Sequence, residues 1–400
     1  MPSKRGNGEG SISKRQDGRW CAVATVGRNP GGSLKRKFIY GKTRQEVAKK
    51  LAELQNEILT DQRIEPSSIT MKEWLEKWLW KYKKIEIRPT TLGSYEQQIR
   101  IHIDPELGHI KLKDLNSEYI QTFYNEKYEK GRYDKSGGLS AATLRKIHNI
   151  IYGALEKAVD EKLIPYNYCK NTSLPKIIKK EVRAFNSEEQ KKFIEALKNE
   201  SLGTAFMVSL FAGLRRGEVL GLKWDNVDTE NNIIRIRQAI VRSRVFNQIY
   251  KTEIIEQDPK TKKGKRNIPL PEIVMELLIK HKEKQSLEKL ENKDNYVDKG
   301  YVFATETGNS VEPRNYLRTF YRLIKNLGIE NANVHTLRHS YATRGLELNI
   351  PLQVLQELMG HASITTLVDT YGHALPETKT EAATKYNNLL KNNNEDPSKE

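Results

Sequence analysis

Apolar and polar residues near the N-terminus of this 400-residue chain alternate with a period of about two, which is typical of β-strands. Turn-forming residues at Asp17-Gly18 and at 29–32 separate three such runs. A capping box, Thr43-x-x-Glu46, then begins a segment with helical period. The predicted elements of this module, residues 1–60, are strands Ser11–Arg15, Arg19–Val26 and Leu34–Tyr40 and a helix from Thr43 to about Leu59.

A helical period dominates the next block, residues 67–168, and strand patterns are almost absent from it. Thr70-x-x-Glu73 is a second capping box, and Trp74 and Trp78 recur with the period of a buried helix face. We therefore expect these tryptophans to lie in a core and not to stack on bases. The further predicted helices are Thr90–Ile103, Asn116–Lys130 and Ser140–Glu161.

Residues 165–181 have the proline and lysine content of a linker, and a mixed pattern follows from 180 to 392. Ile233–Val241 alternates like a strand, and two further strand-like runs flank a basic turn, which predicts a hairpin with Lys260 near its tip. That hairpin would pair Lys251–Ile255 with Arg266–Leu270. The predicted helices begin at Ser187 and continue with Thr204–Ala212, Pro271–Gln285, Arg314–Leu327, His335–Leu348, Pro351–Met359 and Ser363–Tyr371.

Together these patterns predict a multidomain α+β protein. Its predicted domains are a three-stranded sheet plus helix at 1–60, an all-helical domain at 67–168, and a mixed, mainly helical domain with a small sheet at 180–392.

Basic residues exceed acidic ones, 68 Lys+Arg against 51 Asp+Glu, which gives a formal charge of +17. Such an excess favours a polyanionic partner, nucleic acid first and a membrane surface second. Residues 1–44 hold a net charge of +9, from 11 basic and 2 acidic residues. A basic sheet can enter the major groove of DNA, although a solvated basic face would show the same pattern. The candidate DNA contacts in this module are Arg19, Lys35, Arg36 and Lys37.

Two cysteines, Cys21 and Cys169, are too few for a disulfide framework and lack the spacing of zinc ligands. We expect no metal and no cofactor, and a reducing cytoplasm as the setting. The chain has no apolar run of the roughly 20 residues that a transmembrane helix needs, and its N-terminus lacks the apolar core of a secretory signal. Membrane partners are therefore not expected.

Five residues in the second half of the chain have the chemistry of one phosphate-handling site. Two arginines can clamp a phosphodiester, a lysine and a histidine can move protons, and a tyrosine can attack phosphorus. Each residue alone has an ordinary structural explanation, such as an Arg–Glu surface pair or helix packing, so the inference depends on their joint occurrence. The five residues are Arg215, Lys260, His335, Arg338 and Tyr371.

The sequences around these residues resemble the tyrosine recombinases, or phage-integrase family, as found in temperate phages and conjugative transposons. The matching motifs are GLRRGE at 213–218, PKT at 259–261, HTLRH at 335–339, GHASI at 360–364 and TYGH at 370–373. The resemblance covers most of the chain. It implies an arm-site DNA-binding module at the N-terminus, a SAM-like helical domain that binds the core site, and a C-terminal catalytic domain.

The resemblance also implies roles for individual residues. Arg215 and Arg338 would hold the scissile phosphate, Lys260 would be the general acid, and His335 would assist proton transfer. His361 would donate a hydrogen bond to the phosphate. Tyr371 would be the nucleophile, and it would form a 3′-phosphotyrosyl link. The nearby Lys262 and Lys263 would contact the DNA backbone.

The leading function is thus a site-specific recombinase that integrates and excises a mobile element through a Holliday junction. A type IB topoisomerase and a DNA-binding protein with a decayed site are alternatives; the separate basic module and the intact residue set argue against them. The resemblance implies a homotetramer on core and arm attachment sites, in the nucleoid of a bacterial host. An excisionase and a host DNA-bending protein are further expected partners.

Overall fold

The protein's computed structural model describes residues 11–28, 33–59, 68–134, 136–178, 182–246, 252–259, 262–360, 384 and 386–388. Two compact units divide the chain, Met1–Ile178 and Lys179–Glu400. The mostly helical architecture with small sheets is the predicted α+β class.

The N-terminal sheet forms as the alternating pattern predicts. Its strands β1 (Ser11–Lys14), β2 (Trp20–Arg28) and β3 (Leu34–Gly41) are antiparallel in that order, and helix α1 (Arg44–Leu59) follows. The register places Ile12 and Ile39 beside Ala22, so one face is apolar. That face packs on α1, where the buried contacts are Val47, Leu51 and Leu54.

The helical block of the first unit begins at the predicted capping box, in which Thr70 Oγ1 accepts from the backbone N–H of Glu73 at 3.3 Å. Asn116 and Ser140 cap two later helices in the same way. The helices are α2 (Met71–Lys77), α3 (Lys84–Glu86), α4 (Pro89–Gln98), α5 (Asp104–Leu107), α6 (Ser117–Lys130) and α7 (Ala141–Asp160). Two π-helical segments interrupt the series, at Trp78–Lys83 and Ile99–Ile103.

Trp74 and Trp78 lie in the core of this block, as their spacing predicts, with 0% and 1% of their surfaces exposed. Trp74 Nε1 donates to the carbonyl of Ala154 at 2.8 Å, so the polar edge of the indole is satisfied inside the core.

The predicted linker begins later than its composition suggests. Residues Tyr168–Asn171 form a 3-10 turn, and Asn167 and Cys169 are buried against the helices. Cys169 Sγ lies 3.7 Å from the hydroxyl of Tyr124, and burial raises the pKa of this thiol to about 12. Cys21 in β2 is buried as well.

Among its described residues, the second unit combines helices with two small sheets. Its helices are α8 (Ser187–Leu197), α9 (Gly203–Ala212), α10 (Arg216–Leu220), α11 (Glu272–Glu291), α12 (Pro313–Asn326), α13 (Val334–Glu347) and α14 (Leu352–Met359). Its strands are β4 (Val227–Asp228), β5 (Ile233–Ile236), β6 (Ala239–Arg244), β7 (Thr252–Gln257) and β8 (Arg266–Pro269). Packed aromatic side chains fill the centre of its core, among them Phe193, Phe206, Tyr316 and Phe320.

Strand pairing in this unit differs from the prediction. The run predicted as one strand, Ile233–Val241, is divided between β5 and β6, which belong to different sheets. The predicted hairpin is also wrong, because β7 pairs with β6 and β8 pairs with β5. The connection between β7 and β8 therefore joins two sheets, and it contains Lys260, which lies outside the described residues. The predicted helix Ser363–Tyr371 lies outside them too.

No helix among the described residues combines the length and the apolar character that crossing a membrane requires.

Candidate active site

Helix α13 carries His335 and Arg338 one turn apart. Asn333 precedes the helix, and its side-chain oxygen accepts from the backbone N–H of His335 at 2.8 Å. Thr336 Oγ1 in turn accepts from the N–H of Asn333 at 3.0 Å. This cap fixes where the helix begins, so both side chains start from a rigid first turn.

Arg338 is buried, with 5% of its surface exposed. Its Nη1 donates to the carbonyl of Gly213 at 2.5 Å, and its Nη2 donates to the carbonyl of Met359 at 2.6 Å. The guanidinium thereby joins three elements: its own helix α13, the end of α9 and the end of α14.

Arg215 lies between α9 and α10 because α9 ends at a glycine. Gly213 has φ +60°, and an added Cβ there would lie 2.4 Å from Tyr341 Cδ1. The left-handed glycine ends the helix and turns the chain, as in many helix C-caps. Arg215 follows as the residue before α10, and its side chain is 41% exposed.

Glu218 orients Arg215 from inside the protein. Its Oε1 accepts from Arg215 Nη1 at 2.9 Å, and its Oε2 accepts from the Arg215 backbone N–H at 2.9 Å. The carboxylate is also held by the buried Arg266. Burial opposes ionisation of Glu218, but the charge and hydrogen bonds of Arg266, followed by those of Arg215, outweigh it and lower the pKa to about 2. Glu218 is therefore a permanent anion at neutral pH.

His335 is exposed and close to a set of cations. Loss of solvent around part of its ring lowers its pKa, and the charges of Arg338, Arg216 and Arg215 lower it further. His339 lies beside it with ring centroids 6.3 Å apart, and burial lowers the His339 pKa to about 4. Both imidazoles are thus mainly neutral at pH 7, and a neutral imidazole can accept a proton.

Three predicted site residues, Lys260, His361 and Tyr371, lie outside the described residues. The described stretch 262–360 ends at Gly360, the residue before His361, and α14 ends at Met359. Lys262 begins a 3-10 turn, Lys262–Gly264, in which Lys263 is exposed. Among the described residues, no group of three or more His, Cys, Asp or Glu side chains is arranged to hold a metal ion.

The basic residues of the N-terminal sheet do not share one face. Arg36 is exposed on β3 on the same face as Phe38 and Tyr40, because alternate residues of a strand point to one side. Lys37 is exposed as well, but it belongs to the opposite face. Arg19 is exposed and pairs with Asp17 at 2.8 Å. Lys35 belongs to the same strand β3.

Arg266, a buried arginine at the start of β8, is not among the site residues predicted from the sequence. Its signal was available, because Arg266 alternates with the apolar Ile268 and Leu270 and therefore occupies an inward-facing strand position. A cation at such a position requires a buried anion, which here is Glu218.

Comparison with known proteins finds the family that the sequence motifs resemble, and the matches cover most of the chain. The phage integrase family matches residues 179–378, and the phage integrase N-terminal SAM-like domain matches residues 70–128. A "Tyrosine recombinase XerC-like" protein of Caldanaerobacter subterraneus subsp. tengcongensis is 34% identical over 92% of this chain and 95% of its own length.

Two solved structures share the fold. The Tn1549 transposon integrase in complex with a circular intermediate DNA has a TM-score of 0.63 at 19% identity, covering 79% of this chain and 100% of the other. A lambda integrase tetramer bound to a Holliday junction has a TM-score of 0.54 at 20% identity, covering 88% and 96%. With a family match over half of its residues and a relative aligned along nearly its whole length, the chain belongs to the phage integrase family and is a tyrosine recombinase.

Proposed function

We propose that this recombinase cuts and rejoins DNA at specific sites with Tyr371 as its nucleophile and Arg215, His335 and Arg338 as catalytic residues. The observation that supports the proposal is that Arg338 shares a face of α13 with His335 and is hydrogen-bonded to the segment that leads to Arg215. His335 is close enough for both arginines to lower its pKa, and Arg338 binds the carbonyl of Gly213, two residues before Arg215.

In the proposed reaction, the phenol oxygen of Tyr371 forms a bond to phosphorus as the bond from phosphorus to the 5′ oxygen breaks. The phenol proton passes to neutral His335, and Lys260 supplies a proton to the departing 5′ oxygen. The product is a 3′-phosphotyrosyl link and a free 5′-hydroxyl. A second 5′-hydroxyl reverses the step on another strand, so no external energy source is consumed.

The arginines contribute electrostatic stabilisation. Arg215 is held by Glu218 with part of its guanidinium exposed, and Arg338 is fixed by two carbonyls, so neither has to reorganise when a phosphate arrives. Preorganised donors of this kind are worth about 3 kcal/mol each in a transition state. His361 would add a hydrogen bond to the same phosphate.

We further propose three domains for this chemistry: an arm-site module at 1–60, a core-site domain at 67–168 and a catalytic domain at 180–392. The excess positive charge supports DNA as the substrate. Arg19, Lys35, Arg36 and Lys37 would contact arm sites, and Lys262 and Lys263 would contact the backbone near the cut. A homotetramer would exchange strands through a Holliday junction, with an excisionase and a host DNA-bending protein as regulators in the bacterial nucleoid.

The test is covalent trapping on a nicked suicide duplex that carries the attachment site. Wild type should form a complex that survives denaturing electrophoresis, and Tyr371→Phe should shift the same duplex without forming it. Tyr386→Phe is the matched control, because Tyr386 is 71% exposed and should trap like wild type. Trapping by Tyr371→Phe would mean that another residue is the nucleophile.

A further inference from the structure

The Arg266 side chain makes four hydrogen bonds to three protein groups, although it lies away from solvent. It is the first residue of β8, two residues after the 3-10 turn that ends the Lys260 connection, and it is 8% exposed. Nη1 lies 3.1 Å from the carbonyl of Gly264 and 3.3 Å from Glu218 Oε1. Nη2 lies 3.0 Å from Glu218 Oε2, and Nε lies 2.6 Å from the carbonyl of Leu358.

The first of these links leads to Arg215. Glu218 lies between two guanidinium groups, since the same carboxylate oxygens also accept from the side chain and the backbone N–H of Arg215. A shift of Arg266 would move the carboxylate, and the carboxylate fixes the direction in which Arg215 points. Arg266 thus acts through Glu218 on Arg215, a proposed ligand of the scissile phosphate.

The second link leads to the chain that enters His361. The last carbonyls of a helix have no partner within the helix. At the end of α14, Leu358 O accepts from Arg266 and Met359 O accepts from Arg338. Gly360 follows with φ +63°, and an added Cβ there would lie 3.0 Å from Arg266 Nη1. The backbone therefore leaves α14 in contact with the Arg266 guanidinium.

The third link is to the connection that carries Lys260, through the carbonyl of Gly264. A buried ion pair is weak evidence of a stabilising role, because proteins with apolar side chains of equal volume at such positions are often just as stable. A buried guanidinium with bonds to three separate segments, all of which lead to residues of the active site, is better explained by the geometry it imposes.

Resting on the proposed function, we infer that Arg266 is a positioning residue. It fixes the positions of Arg215, the Lys260 connection and the backbone entering His361 relative to one another. It does not contact DNA, because its side chain is buried and directed to protein acceptors. Its loss should therefore slow strand cleavage while DNA affinity is retained.

The experiment compares Arg266→Met and Arg266→Lys with wild type in single-turnover cleavage of the suicide duplex, and measures DNA affinity and thermal melting in parallel. Arg266→Met should cleave about 100-fold more slowly, the size expected when active-site groups are displaced by about 1 Å. Its affinity should stay within about threefold of wild type. Arg266→Lys keeps the positive charge but loses the planar guanidinium that reaches several acceptors. Its cleavage rate should therefore lie between those of Arg266→Met and wild type. Arg235→Met is the control, since it removes an arginine of the adjacent strand β5 that pairs with Asp228.

A purely structural role would lower the melting temperature but leave the cleavage rate intact at temperatures where the variant is folded. A double-mutant cycle with Glu218→Gln adds a second readout. If Arg266 acts on Arg215 through Glu218, the double variant should cleave no more slowly than the slower single variant, whereas effects that multiply would refute the link from Arg266 to Arg215. Failure of wild type to trap DNA would refute the proposed function itself. Trapping by Arg266→Met at the wild-type rate would refute only the role of Arg266.

Discussion

Arg338 on α13 donates a hydrogen bond to the carbonyl of Met359 at 2.6 Å, two residues before His361. The helix that carries one proposed phosphate ligand is thus joined directly to the end of the helix that precedes another. Because the same guanidinium also binds Gly213 O, a single side chain spans the two chain segments that lead to Arg215 and His361.

Replacing Arg338 with lysine should therefore lower the rate of strand cleavage much more than it lowers DNA affinity. One ammonium cannot reproduce a planar fork that reaches two carbonyls on different segments. We expect single-turnover cleavage to fall by about 100-fold or more, the typical loss for one aligned donor. DNA affinity in a gel-shift titration should change much less. Arg322→Lys, at an exposed pair with Glu200, is the control. Cleavage by Arg338→Lys within threefold of wild type would contradict this role.

Strand cleavage should depend on the protonation of His335. The pKa of this group lies below its ordinary value of 6.5, so the neutral, proton-accepting form persists until the pH falls below that value. The cleavage rate should be flat from pH 7 to 8 and should fall about tenfold per pH unit once His335 becomes protonated. His339, with a pKa of about 4, stays neutral through most of this range.

A pH–rate profile of single-turnover cleavage measures this dependence. His335→Gln should be slower at pH 7.5 and should lack the acid-side decline, whereas the exposed His109→Gln should behave like wild type. An unchanged decline in His335→Gln would assign the titration to another group.

Alanine substitutions at two glycines with similar φ angles can distinguish the cost of a steric clash from the cost of backbone strain. Gly213 and Gly328 have φ of +60° and +64°, but only Gly213 has a neighbour, Tyr341, within 4 Å of an added Cβ. Gly328→Ala should destabilise the protein by about 1 kcal/mol, from strain alone. Gly213→Ala should cost more in denaturant unfolding, and it should also slow cleavage because it displaces the carbonyl that binds Arg338. Equal losses of stability would show that Tyr341 moves aside without cost.

Deleting residues 1–60 should separate arm-site from core-site binding. The deletion removes the basic sheet, so affinity for arm duplexes should be lost and the remaining binding should depend less steeply on salt. Cleavage of a core-site suicide duplex should survive, because the proposed catalytic residues lie after residue 180. Gel-shift titrations at several salt concentrations measure both effects. Arm-site binding by the truncated protein would contradict the assignment of residues 1–60.

Local signals predicted most of the helices. The capping box at Thr70 and the side-chain caps at Asn116 and Ser140 fix helix starts to within a residue, because they depend on contacts three residues apart. The αL glycine after α9 was likewise visible as Gly213. These features depend on neighbours in sequence, and sequence shows neighbours directly.

Strand partners could not be predicted in the same way. β7 and β8 are adjacent in sequence and both alternate, yet each pairs with a strand that precedes both. Pairing depends on which buried face each strand can share, and the residues between β7 and β8 carry no signal for it. The hydrogen-bond acceptors of Arg338 could not be predicted either. They are backbone carbonyls at the ends of two separate helices, and every residue has such a carbonyl, so no sequence pattern marks them.

Both native thiols are enclosed: Cys21 within the N-terminal sheet and Cys169 beside the Tyr124 hydroxyl, with its pKa raised to about 12. A thiol reacts as its thiolate, so Cys169 should resist alkylation in the folded protein at neutral pH, and burial shields Cys21 from the reagent. A fluorophore maleimide can therefore be directed to a cysteine introduced on the surface, without first removing the two natural ones.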